Sequence, residues 1–200
     1  HSLSLLIAAA ALASAAGCDS NSDAKPDPAA AGADTGAAKK VDGPTKTAAA
    51  PANATSTVAD AKKFVEAFVK PGADHKALTA KLKPTDADYA AVFSAEHAAK
   101  AKAGYAQMWA NPEMAIAPKA GQTEVLIWGA TTEQIKNWEG DAASKFPGGW
   151  KGTGDMFMPG LTFYRFKFVK PGETLGMAMD GLVFVNGHWT MFPKPWRMAK

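Results

Sequence analysis

The chain has 200 residues, is 47% hydrophobic, and carries a formal net charge of +3 from 22 basic and 19 acidic side chains. One cysteine excludes a disulfide framework. The mild, dispersed positive charge lacks the basic stripe of a nucleic-acid surface, so no nucleic-acid partner is expected.

The apolar run from residue 3 to 13 is Leu, Ser, Ile and mainly Ala, a length suited to the hydrophobic region of a secretory signal and about half that of a membrane-spanning helix. Ala15, Ala16 and Gly17 follow, small enough to lie extended in a peptidase, and then comes Cys18. The chain opens at His1 without a Met and without a charged leading region, so a truncated start is expected. Cleavage after Ala15 is the alternative; it would leave Cys18 as a free thiol, a liability in an oxidising compartment.

Ala15-Ala16-Gly17-Cys18 resembles the lipobox of bacterial lipoproteins, with Ala15 where Leu is usual. The resemblance implies residues 1–17 as a removed lipoprotein signal peptide, diacylglycerol of the palmitate type on the Cys18 sulfur, and a covalent membrane anchor. It also implies a location in the bacterial cell envelope, facing the periplasm or cell surface, with the choice of membrane open. Two or more acyl chains, at about 0.8 kcal/mol per buried methylene, make release negligible.

Residues 18–57 are read as the lipidated cysteine and a disordered linker. From Asp19 the composition falls to Ala, Pro, Gly, Asp, Lys, Ser and Thr, with Val41 the one large apolar residue. Such a stretch cannot build a core. A coil of about 40 residues has an end-to-end distance of roughly 35 Å, which suits a spacer.

Residues 58–200 are expected to form a single globular α+β domain of ordinary size. Its first half reads as helices. Thr57 with Asp60 is a capping-box-like start, and Val58, Ala61, Val65, Phe68 and Val69 recur at helical spacing until Pro71-Gly72. Asp74 begins a short helix ended by Pro84. Thr85 with Asp88 opens another, and Ser94 a longer one through Tyr105 and Trp109.

The second half reads as strands. Val125-Leu126-Ile127-Trp128 is β-rich, residues 131 to 138 suit one or two helical turns, and residues 161 to 168 alternate, with Tyr164, Phe166 and Phe168 on one face and Phe163, Arg165 and Lys167 on the other. Residues 174 to 179 read as a weaker strand. Leu182 to Val185 and His188 to Met191, joined by Asn186-Gly187, read as a C-terminal hairpin with a type I′ turn. The fold expected is α+β: N-terminal helices packed on a curved antiparallel sheet with the Asn-Gly hairpin at its end. The pattern from Asp180-Gly181 to His188-Trp189 resembles the nuclear transport factor two-like, cystatin-like cone folds, which implies a cone that encloses a pocket for a small ligand or for proton-transfer chemistry.

Candidate site residues are few. Asp180 with His188 or with Tyr164 would make an acid-base pair if they converge, whereas an Asp180-Gly181 turn and a packed Tyr164 are the plainer alternative. Trp150 and Phe157, in the Gly-rich stretch 138–160, would present flat rings to a sugar or peptide, or seal the core. Trp189 and Trp196 are expected to pack together. His75, His97 and His188 are widely separated and form no metal-ligand motif, and no catalytic residue or cofactor is assigned. The reading is a lipid-anchored, noncatalytic envelope domain that binds a small apolar or saccharide ligand or another envelope protein. The alternatives are a cone-fold enzyme using Asp180, Tyr164 or His188, and a purely structural scaffold.

Overall fold

The computed structural model describes residues 56–198. The signal segment, Cys18 and the spacer up to residue 55 lie outside the described residues. Ser56 and Thr57, just ahead of the expected boundary at 58, are both bonded into the fold.

Helix α1 (Val58–Val65) starts where Thr57 accepts the Asp60 N–H at 3.1 Å and the Asp60 carboxylate accepts the Thr57 N–H at 2.9 Å. These bonds satisfy donors that every helix start leaves free. A 3-10 turn (Glu66–Val69) carries it on to Phe68, and the chain then breaks at Pro71-Gly72, where Gly72 takes φ 74°. Asp74 caps α2 (His75–Ala80), and Thr85 caps α3 (Asp86–Val92). Helix α4 (Ala95–Ala110) turns Ala101, Tyr105 and Trp109 inward.

Strand β1 (Glu124–Thr131) leads directly into α5 (Thr132–Asn137), capped by Thr131 and Gln134, and then α6 (Gly140–Lys145). The Gly-rich stretch is therefore more structured than a loop: besides α6 it contains two 3-10 turns, Gly148–Trp150 and Gly154–Met156. Strands β2 (Thr162–Val169), β3 (Gly176–Val185) and β4 (His188–Met191) follow, and a short α7 (Pro195–Met198) ends the described chain.

The protein is thus α+β, with one four-stranded antiparallel sheet in the order β1-β2-β3-β4. The sheet is open, with β1 and β4 at its two ends rather than joined. Strand β3 pairs with β4 through Leu182 to Val185, and Asn186 and Gly187 cross between them at φ 52° and 80°.

Two strands were expected where β3 runs unbroken. Asp180-Gly181 is not a turn. It is a β-bulge: the register with β2 shifts between Tyr164 and Arg165, and Gly181 takes φ 89° as the extra residue. Only glycine suits this position, because a Cβ there would strike the Phe192 carbonyl.

Each face of the sheet meets a different layer. Tyr164, Phe166 and Phe168 face α1 and its 3-10 extension, with Phe68 6.2 Å from Phe168 and Phe64 stacked at 5.6 Å on Trp189 of β4. Phe163, on the opposite face, meets Trp150 at 5.1 Å and Phe157 at 4.5 Å. At that end Phe192 is ringed by Tyr89, Phe93 and Tyr105 from α3 and α4. Trp189 and Trp196 therefore do not pack together. Trp189 sits among Phe64, Tyr164 and Phe184, while Trp196 packs on Trp150 across the sheet, since residues on opposite faces of the sheet cannot meet.

Candidate functional site

Asp88 and His188 make the first polar constellation. Asp88 is the third residue of α3, and its carboxylate accepts the Thr85 N–H at 2.7 Å and the Thr85 hydroxyl at 2.8 Å. The same carboxylate takes the Asn186 side-chain amide at 2.7 Å and stands 3.0 Å from His188 Nε2. A capping carboxylate thus ties α3 to the β3–β4 turn. Burial pushes the Asp88 carboxyl up, but its bonds to Thr85 and Asn186 and the nearby His188 together outweigh burial and hold it below its ordinary value.

An aspartate against an imidazole also supplies two of the three members of a catalytic triad. Here the other ring nitrogen, Nδ1, lies 3.4 Å from the carbonyl of Asn186, and His188 makes no hydrogen bond to a hydroxyl among the described residues. The imidazole joins a turn to a helix.

Asp180 makes the second constellation, on the bulge of β3. It lies opposite Arg165 in the register, and its Oδ1 accepts the Lys194 N–H at 3.0 Å, which fastens the segment before α7 to the sheet. Burial raises the Asp180 carboxyl. The Lys194 N–H, the nearby Trp150 indole and the Arg165 and Lys194 charges oppose that rise without cancelling it. The Trp150 Nε1 and the Arg165 Nε are both buried and reach no partner at good geometry, so their help to Asp180 is electrostatic rather than through tight bonds. Tyr105 completes the surroundings: its hydroxyl donates to the Pro193 carbonyl at 3.0 Å, and burial pushes the phenol far up.

Tyr164 joins neither group. Its ring lies on the α1 face, fully buried, and its hydroxyl donates to the Ser56 carbonyl at 2.7 Å. Asp180, opposite Arg165 in the register where Tyr164 is opposite Leu182, projects from the opposite face. His188 is claimed by Asp88. Of the residues singled out from sequence, the structure brings together Trp150 and Phe157, 5.7 Å apart, with Asp180 beside Trp150. Trp150 is wholly buried and Phe157 nearly so, and both pack on Phe163.

Sequence reasoning missed Asp88 as a partner of His188, and Arg165 as a partner of Asp180. The Thr85-x-x-Asp88 spacing announced a cap, but nothing local announces a contact across 100 residues. Among four surface grooves, one, between Thr132, Lys136 and Pro159, has Phe157 in its lining. The others include one of about 640 Å³ between Glu66, Pro71 and Glu124 and one of about 230 Å³ between Lys76, Lys83 and Trp109. Asp180, His188 and Tyr164 line none of these four. Among the described residues no group of three His, Cys, Asp or Glu is placed to hold a metal ion, and no helix is long and apolar enough to cross a membrane. No protein-family model, curated protein or solved structure matches the chain.

Proposed function

We propose that the protein is a noncatalytic binding domain of the bacterial cell envelope, held to a membrane through acyl chains on Cys18 and displayed on the spacer 18–57. In this reading the finer architecture is a layer of N-terminal helices on a curved sheet, with the Asn186-Gly187 hairpin fixing the end of the sheet against α3. The partner is another envelope protein, met on the surface of the domain.

One observation carries the noncatalytic reading: the Asp–His pair and the aromatic stretch are both consumed by the fold. Asp88 and His188 lock a turn, and Trp150 and Phe157 pack against Phe163 of the sheet. A buried carboxylate such as Asp180 often marks a reactive site, but it performs acid-base work only within reach of a substrate. The anchor rests on the small residues before Cys18 and on the length of the apolar run ahead of them.

The test is intact-mass analysis of protein extracted from native membranes, together with Cys18→Ser. Acylation at Cys18 and release of the variant from envelopes by a carbonate wash are expected. A mature N-terminus at Ala16 with an unmodified cysteine, or a variant bound as firmly as the native chain, would remove the anchor.

A further inference from the structure

We infer that the free edge of β3 is a self-association site, at which two copies of this chain join their sheets antiparallel about a two-fold axis through Met177. Strand β3 is ten residues long, but β4 covers it only from Leu182 to Val185. Phe192 bonds to Gly181, and Lys194 to Asp180, which closes the edge at the bulge. From Gly176 to Met179, β3 pairs with β2 on one side, and among the described residues its other side has no backbone partner.

Sheet ends are normally guarded by charge, proline, a bulge or a covering element. The β4 edge is guarded, since the Leu82 carbonyl accepts from both the Met191 N–H and the Thr190 hydroxyl. The β1 edge begins at Glu124 and packs against α6. The run Thr174-Leu175-Gly176-Met177-Ala178-Met179 has no charge and no proline. Leu175 is 79% exposed, the most exposed large apolar side chain among the described residues, and Gly176 and Ala178 are also open to solvent.

The pattern is complementary to itself. Strand alternation puts Leu175, Met177 and Met179 on one face and Gly176 and Ala178 on the other. With Met177 opposite Met177 of the second copy, Leu175 falls opposite Met179, and Gly176 falls opposite Ala178. Every large side chain meets a large one and every small one a small one, with no like charges across the pair. An isologous contact of this kind closes on itself and stops at two copies. Pairing a short edge buries less than a standard interface, so the dimer is weak and is sought at chain concentrations of about 10 to 500 μM.

Sedimentation equilibrium of the full chain in density-matched detergent tests this. The expected result is a twofold rise in mass across that concentration range, lost in Leu175→Lys, whose exposed position leaves the monomer intact, and lost in Met177→Lys, which sets like charges on the axis. Combining Leu175→Lys with Met179→Glu places opposite charges across the pair twice and restores the dimer, with far-ultraviolet circular dichroism showing that each variant is folded. A native chain that stays monomeric throughout the range, or a dimer indifferent to Leu175→Lys and Met177→Lys, would overturn the proposal. A dimer that the double variant fails to restore would overturn the register. The outcome is independent of whether Cys18 is acylated.

Discussion

Asp88 is shut off from water yet lies just beneath the surface, beside a half-exposed His188, and its carboxylate serves four donors at once. Asp88→Ala removes the acidic half of the α3 capping box and strands the amide of Asn186, so a loss of about 2 to 4 kcal/mol in urea unfolding is expected. The carboxyl is held below its ordinary 3.8, so its contribution is fully present above about pH 4 and is lost as pH falls through the folded value. Asp180 has the opposite sign. Burial raises it, so the folded state binds a proton more readily than the unfolded chain does, and the charged form costs stability as pH rises above 3.8. Asp180→Asn keeps an acceptor for the Lys194 N–H and removes that cost. The stability of the variant relative to the native chain should therefore climb as pH is raised from about 4 and then level off, as read by unfolding at a series of pH values. A flat difference would mean that Arg165 and Lys194 already neutralise the burial cost.

Elements were legible to the extent that their signals are local. The alternation of residues 161 to 168 points to antiparallel sheet, and the capping pairs read at Thr57 and Thr85 have the side-chain bonds that set helix starts. Asp180-Gly181 was opaque because the same dipeptide suits a turn and a bulge, and only the backbone of Phe192, which crosses the strand there, decides between them. Gly181→Ala therefore meets both a positive φ and the Phe192 carbonyl, and a loss of more than about 2 kcal/mol is expected in thermal or urea unfolding. Gly187 also has a positive φ, 80°, but open space around its Cα, so Gly187→Ala should cost only about 1 kcal/mol. The contrast separates backbone strain from collision. The stretch 138–160 was hard to read for another reason: its glycines conceal short helical turns whose aromatics are oriented by partners far along the chain.

Trp150 links distant parts of the molecule, touching Phe146 and Phe157 in its own stretch, Phe163 on the sheet and Trp196 near the chain end. Trp150→Ala empties that junction, and a loss of about 3 to 5 kcal/mol is expected, a large share of the 5 to 15 available to a domain of this size. Cooperative unfolding at a lower midpoint would match a shared core. Separate loss of the C-terminal segment, followed by near-UV circular dichroism, would show that the Lys194–Asp180 bond holds it independently.

The bond from Tyr164 to the Ser56 carbonyl sets how the domain carries mechanical load. Ser56 enters the fold against the second strand of the sheet, and α1 begins two residues later. Tension arriving along the backbone from the N-terminal side therefore meets a buried phenol before it reaches any turn of helix. Once the bonds between Ser56 and Tyr164 part, the pull falls on the end of α1 rather than along the β ladders. A steady tug would be expected to strip the helical cover and expose the aromatic face beneath it well before the sheet itself yields.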